Sequence, residues 1–144
     1  MSTLYLDTSA LAKWYLNERR SEEFEEFISR EPSADVSRLT VLEFRCLLSR
    51  RRRTHDIDGR LESRIIAEFE KDVRDGHLFV HPLTDTHASA AVEILTRFPA
   101  HTLRTLDALH LAIARSIKAS RIATADRILA EVAARMDFQV IRFD

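Results

Sequence analysis

Apolar positions along this chain follow two alternating periods, one of strands and one of helices. Thr3-Leu4-Tyr5-Leu6 is a β-favouring apolar run and predicts a buried strand. Asp7-Thr8-Ser9 behind it are helix-capping residue types, and Ala10 to Leu16 predicts a helix. A second helix is predicted from Ser21 to Arg30, with Phe24, Phe27 and Ile28 on one face, Ser21 as its cap and Pro32-Ser33 as its stop. Ala34 to Val36 predicts a very short strand. From Leu39 to Arg52 the pattern is helical: Leu39, Leu42, Cys46 and Leu48 define an apolar stripe, widened by Val41, Phe44 and Leu47. The polar stretch from Arg53 to Gly59 predicts a loop. Arg60 to Asp75 is the clearest amphipathic helix, carried by Leu61, Ile65, Phe69 and Val73, and Gly76 stands where a C-terminal cap belongs.

The remainder continues the alternation. A strand at Leu78-Phe79-Val80 ends before Pro82, and a helix from Asp85 to Phe98 is closed by Pro99. Then come a helix from Leu106 to Ala119, a strand from Arg121 to Thr124, a helix from Asp126 to Met136 and a strand from Phe138 to Phe143. Strands alternating with helices predict an α/β fold with a mostly parallel central sheet and helices on both faces. No repeat, low-complexity segment or boundary interrupts the pattern, so residues 1–144 are expected to form a single domain.

Composition narrows the chemistry. With 2 glycines, the chain carries neither a Walker A loop nor a dinucleotide-binding fingerprint. No apolar run approaches the roughly 18 residues of a membrane span. The first residues, MSTLYLDTS, lack the basic start and apolar stretch of a signal peptide, and the lone Cys46 allows no internal disulfide. A cytoplasmic protein is expected. Net charge is −1, but 19 of the 22 basic residues are arginine, whose planar fork suits phosphate. Arg50, Arg51, Arg52 and Arg53 run together, either as a solvated helix end or as a nucleic-acid contact.

Four acids stand out against this frame. Asp7 and Asp126 follow predicted strands, where ligands bind in open α/β sheets, and Asp107 opens a helix that can reach the same crevice. Glu43 lies inside an apolar helical window. Singly, each has an ordinary explanation: the three aspartates as N-caps or first-turn residues, and Thr40-x-x-Glu43 as a capping box. Converging on one end of one sheet, they would repel each other unless a cation lay between them. An oxygen-only ligand set points to Mg2+ or Mn2+ rather than zinc. His110, three residues beyond Asp107, is read as a partly buried helix histidine able to hydrogen-bond near the site. Cys46, set in an apolar helix, is read as inert core. No Gly-x-Ser-x-Gly elbow is present. A receiver-type signalling domain would need paired acids after the first strand and a lysine after a late one; here Asp7 stands alone and Lys118 precedes the strand.

In this order the motifs resemble those of PIN-domain ribonucleases. The segments concerned are YLDTSALAKWYLNE from Tyr5, SRLTVLEF from Ser37, LRTLDALHLAIA from Leu103 and IATADRILAEVA from Ile122, spanning nearly the whole chain. Within that family they resemble the VapC-type toxins of toxin–antitoxin pairs. The resemblance implies a three-layer α/β/α sandwich and Mg2+-dependent endoribonuclease activity, with Mn2+ as a substitute. It matches Asp7, Glu43, Asp107 and Asp126 to the acidic quartet that holds metal and carries catalysis. Asp7 and Asp107 would be the direct ligands, with Thr124 and Ser9 supporting. It also implies a homodimer and a VapB-like antitoxin. The helices from Ser21 and Arg60 are the first choices for the dimer surface. Arg45 and Arg50 to Arg53 are candidate contacts for RNA phosphates. The alternative is a non-catalytic RNA-binding or protein-interaction module on the same fold, which metal dependence would separate.

Overall fold

A computed structural model describes residues 3–144; Met1 and Ser2, which open the span expected to be one domain, lie outside the described residues. The chain runs β1 (Leu4–Leu6), α1 (Thr8–Tyr15), α2 (Ser21–Ser29), β2 (Ala34–Ser37), α3 (Arg38–Arg53) and α4 (Gly59–Arg74). It continues through β3 (Leu78–His81), α5 (Asp85–Arg97), α6 (Thr105–Ser116), β4 (Arg121–Thr124), α7 (Arg127–Arg135) and β5 (Gln139–Arg142). All strand pairs are parallel, in the order β3-β2-β1-β4-β5. The α/β/α sandwich with a parallel sheet is therefore the observed architecture.

Side chains leave the strands alternately, and each face builds its own core. Leu4, Leu6, Ala34, Val36 and Ala123 pack against α1 to α4, while Tyr5 and Ile122 pack against α5 to α7. The central strand β1 is buried on both faces. Strand order reverses at β1, with β2 and β3 on one side and β4 and β5 on the other. The loops leaving β1 and β4 diverge there, opening a crevice at the carboxyl edge.

Several local expectations are corrected. Ser37, not Thr40, caps α3: its Oγ accepts from Thr40 N, and Thr40 Oγ1 accepts from Ser37 N, leaving Glu43 out of the capping box. The buried face of α3 runs through Leu39, Thr40, Phe44 and Leu48. Leu42 is 60% exposed and Cys46 is exposed, so neither belongs to the core. The window from Leu39 to Leu48 is so apolar that several helical phases satisfy the pattern; docking on the sheet selects one. Ser21 is the first helical residue of α2 rather than its cap, and its Oγ instead bonds Glu18 N and Leu16 O across the preceding turn. Asp126 caps α7 from outside the helix, and α6 ends at Ser116. Gly76 does terminate α4, with φ +82° and its N–H donating to Val73 O.

Candidate active site

Helix capping at the crevice gives Asp7 its orientation. It is the N-cap of α1 and 4% exposed. Its Oδ1 accepts from Ala10 N at 2.9 Å and Ser9 Oγ at 2.7 Å; its Oδ2 accepts from Thr124 Oγ1 at 2.6 Å. Ser9 Oγ also accepts from Ala125 N at 2.8 Å, and Thr124 Oγ1 accepts from Asp126 N at 3.0 Å. Ser9 and Thr124 thus lace the turn after β1 to the turn after β4.

Asp126 caps α7 through Oδ1, which accepts from Leu129 N at 2.9 Å. Asp107 is the third residue of α6, and its Oδ2 accepts from Arg104 N at 3.2 Å. The Arg104 guanidinium spans the two acids, 3.4 Å from Asp107 Oδ2 and 3.3 Å from Asp126 Oδ2. Glu43 enters from α3, its Oε1 accepting from Thr8 Oγ1 at 2.8 Å and from His110 Nε2 at 2.5 Å. One cleft of about 450 Å³ is lined by all four acids together with Thr8, Ser9, Arg50, Arg104 and His110.

The electrostatics separate the acids. Burial pushes the Asp7 carboxyl up, against the pull of His110 and its hydrogen-bond donors. Burial and then the charge of Asp126 push Asp107 up, against Arg104. Glu43 goes the other way: burial would raise it, but the hydrogen bond and charge of His110, with Thr8 and Arg104, hold it below the ordinary glutamate range.

The structure thus brings Asp7, Glu43, Asp107, Asp126, Ser9 and Thr124 together, places His110 beside them as its spacing from Asp107 allowed, and adds Arg104 and Cys46. Arg104 stands over two of the acids, a neighbourhood that its place three residues before Asp107 could have signalled. His110 is not an ordinary helix histidine: 3% exposed, it bridges Glu43 and Tyr5, whose Oη lies 2.7 Å from Nδ1. Cys46 lines the cleft. Of the arginines read as phosphate contacts, Arg50 lines this cleft. Arg51 pairs with Glu18 and Arg52 with Glu62, Arg45 lines a separate groove between α3, α4 and β3, and Arg53 lies at the exposed end of α3.

The PIN domain family matches residues 4–135, and the chain belongs to it. A search of curated proteins gives no match. Among solved structures the fold is similar to the sarcin–ricin loop cleaving toxin VapC20 of Mycobacterium tuberculosis, with TM-score 0.72 and 19% identity, covering 90% of this chain and 94% of that one. It is also similar to a chain of FitAcB from Neisseria gonorrhoeae, with TM-score 0.68, 16% identity and 96% of each chain covered. DNA-bound VapBC from Salmonella typhimurium matches at TM-score 0.67 and 17% identity, over 100% of both chains.

Proposed function

We propose that this chain is a Mg2+-dependent endoribonuclease, with Mn2+ able to substitute, and the toxin of a type II toxin–antitoxin pair. The observation that carries the reading is the meeting of four carboxylates, from four separate segments of a PIN-family chain, in one cleft. The donor chemistry fits a hard divalent cation: oxygen ligands, with both aspartates that follow strands already oriented by backbone N–H groups. Among the described residues no three such side chains yet surround a common point, and the Arg104 guanidinium is in contact with both Asp107 and Asp126. Holding the cation therefore requires Arg104 to swing aside, which its 77% exposed side chain permits.

Asp7, Asp107, Asp126 and Glu43 are the proposed ligands and catalytic acids. Bound there, the cation would lower the pKa of an attacking water and stabilise charge developing on the phosphate. Thr124 and Ser9 keep the Asp7 carboxylate from rotating. Arg50, for which the described residues offer no ion-pair partner, and the displaced Arg104 are placed to hold phosphates flanking the scissile bond. A VapB-like antitoxin and a homodimer belong to the same reading. The toxin reading rests on the toxin and toxin–antitoxin structures that share the fold.

Cleavage of RNA in Mg2+, abolished by EDTA and reduced by orders of magnitude in folded Asp7→Asn and Asp107→Asn proteins, is the expected result. Full activity in excess EDTA would overturn it. Metal-independent RNA binding without cleavage would point instead to a non-catalytic module.

A further inference from the structure

Glu43 is anchored through one oxygen alone. Both of its hydrogen bonds reach Oε1, and among the described residues none reaches Oε2. The stronger constraint comes from His110, whose side chain is 4% exposed and whose two ring nitrogens are both engaged. Nδ1 faces the hydroxyl of Tyr5, which is fully buried in the middle of β1. That hydroxyl also stands 2.9 Å from Oγ of Ser37, the cap of α3, the helix that carries Glu43. The chain of contacts closes a ring from β1 through α6 to α3 and back to β1.

Donor directions are consistent around this ring. The Tyr5 hydroxyl, 2.7 Å from Nδ1, has a hydrogen that it can donate to that nitrogen. Nε2 carries a hydrogen and donates it to Glu43 Oε1 whether the imidazole is charged or, with Tyr5 donating to Nδ1, neutral; in the charged ring Nδ1 donates to Tyr5 Oη instead. Ser37 Oγ can donate to Tyr5 Oη in turn. Burying a phenol and both imidazole nitrogens is costly unless each is paired. A leucine at position 110 would pack in the same core without that demand, so packing alone does not account for the arrangement.

We propose that Tyr5 and His110 are positioning residues for Glu43: they tie down one carboxylate oxygen and leave the other available to the divalent cation of the cleft. This rests on the nuclease reading above. Neither residue touches the cation or the RNA; both act through Glu43, as partners behind a metal ligand commonly do.

Mn2+ titration calorimetry on folded proteins tests this apart from turnover. His110→Leu keeps the packing but removes both nitrogens, and His110→Gln returns an N–H near Nε2. His110→Leu is expected to weaken Mn2+ binding by about 10- to 100-fold, and His110→Gln to recover most of it. On a Glu43→Gln background, His110→Leu should cost nothing further, because its effect runs through the carboxylate. Mn2+ affinity of His110→Leu within about threefold of wild type, or losses that add with Glu43→Gln, would overturn the proposal. Should His110→Leu not fold, Tyr5→Phe, which keeps the ring, carries the same criterion. Wild-type protein that binds no Mn2+ overturns the nuclease reading and this inference together. Tight wild-type binding with no change in the variants overturns this inference alone.

Discussion

Asp7 and Asp107 hold their protons more tightly in the folded chain than ordinary aspartates do, because burial disfavours their charged forms. A folded-state pKa above the unfolded value makes stability highest below the unfolded value of about 3.9 and erodes it as pH rises through the folded one. Glu43, held low, has the opposite sign: its contribution is present above the ordinary glutamate value and lost as pH falls through the lowered one. In EDTA, stability should therefore decline as pH rises above the ordinary aspartate range. Asp107→Asn should flatten that decline while keeping an oxygen for Arg104 N, and thermal melts taken upward in pH from the ordinary aspartate range would show it. An equally steep decline in the variant would remove Asp107 from the account. These acids were legible as residues, since their types and order point to one site. Tyr5 was not, because its side chain carries no signal of its own without the neighbours that folding brings, and of Arg104 the spacing could mark the closeness to Asp107 but not the contact with Asp126.

At the scale of elements, α3 decides how Glu43 meets the cleft. Its buried line passes through Phe44 and Leu48, while Glu43, Cys46, Leu47 and Arg50 line the cleft one or two turns apart. Replacing Leu48, fully buried, by alanine should cost about 2–5 kcal/mol, whereas Leu42→Ala, at a 60% exposed position, should stay within about 0.5 kcal/mol. Urea unfolding of the two variants checks this; comparable losses would mean that α3 is rotated from the phase described. Hydrophobicity alone placed Leu42 and Cys46 in the stripe, because Val41, Leu42, Phe44, Cys46, Leu47 and Leu48 leave almost every face of the helix apolar. The strands posed no such ambiguity. They are short and apolar, and their ends are marked by Asp7, Pro82 and Asp126.

For the molecule as a whole, the site is a property of the sheet's switch point. Asp7 and Asp126 meet because β1 and β4 are neighbours, and the adjoining turns are laced by Ser9 and Thr124. A cation that binds the folded site and not the unfolded chain should stabilise by about 2.7 kcal/mol at a concentration 100 times its dissociation constant. Mg2+ should therefore raise the melting temperature of the wild-type protein, and Asp7→Asn should abolish most of the rise. An unchanged melting temperature at saturating Mg2+ would count against a cation-binding cleft.

The order of short strands and amphipathic helices determined the α/β architecture by itself, because periodicity is local and each element must bury its apolar side. The four acids and their motifs, in sequence order, likewise determined the family. What tertiary structure alone decided is how the acids are held. Arg104 lies between Asp107 and Asp126, and Glu43 is turned by a histidine 67 residues away, itself held by a tyrosine 105 residues from it. Hydrogen bonds between residues so far apart leave no period in the chain. They exist only once sheet and helices have closed around them.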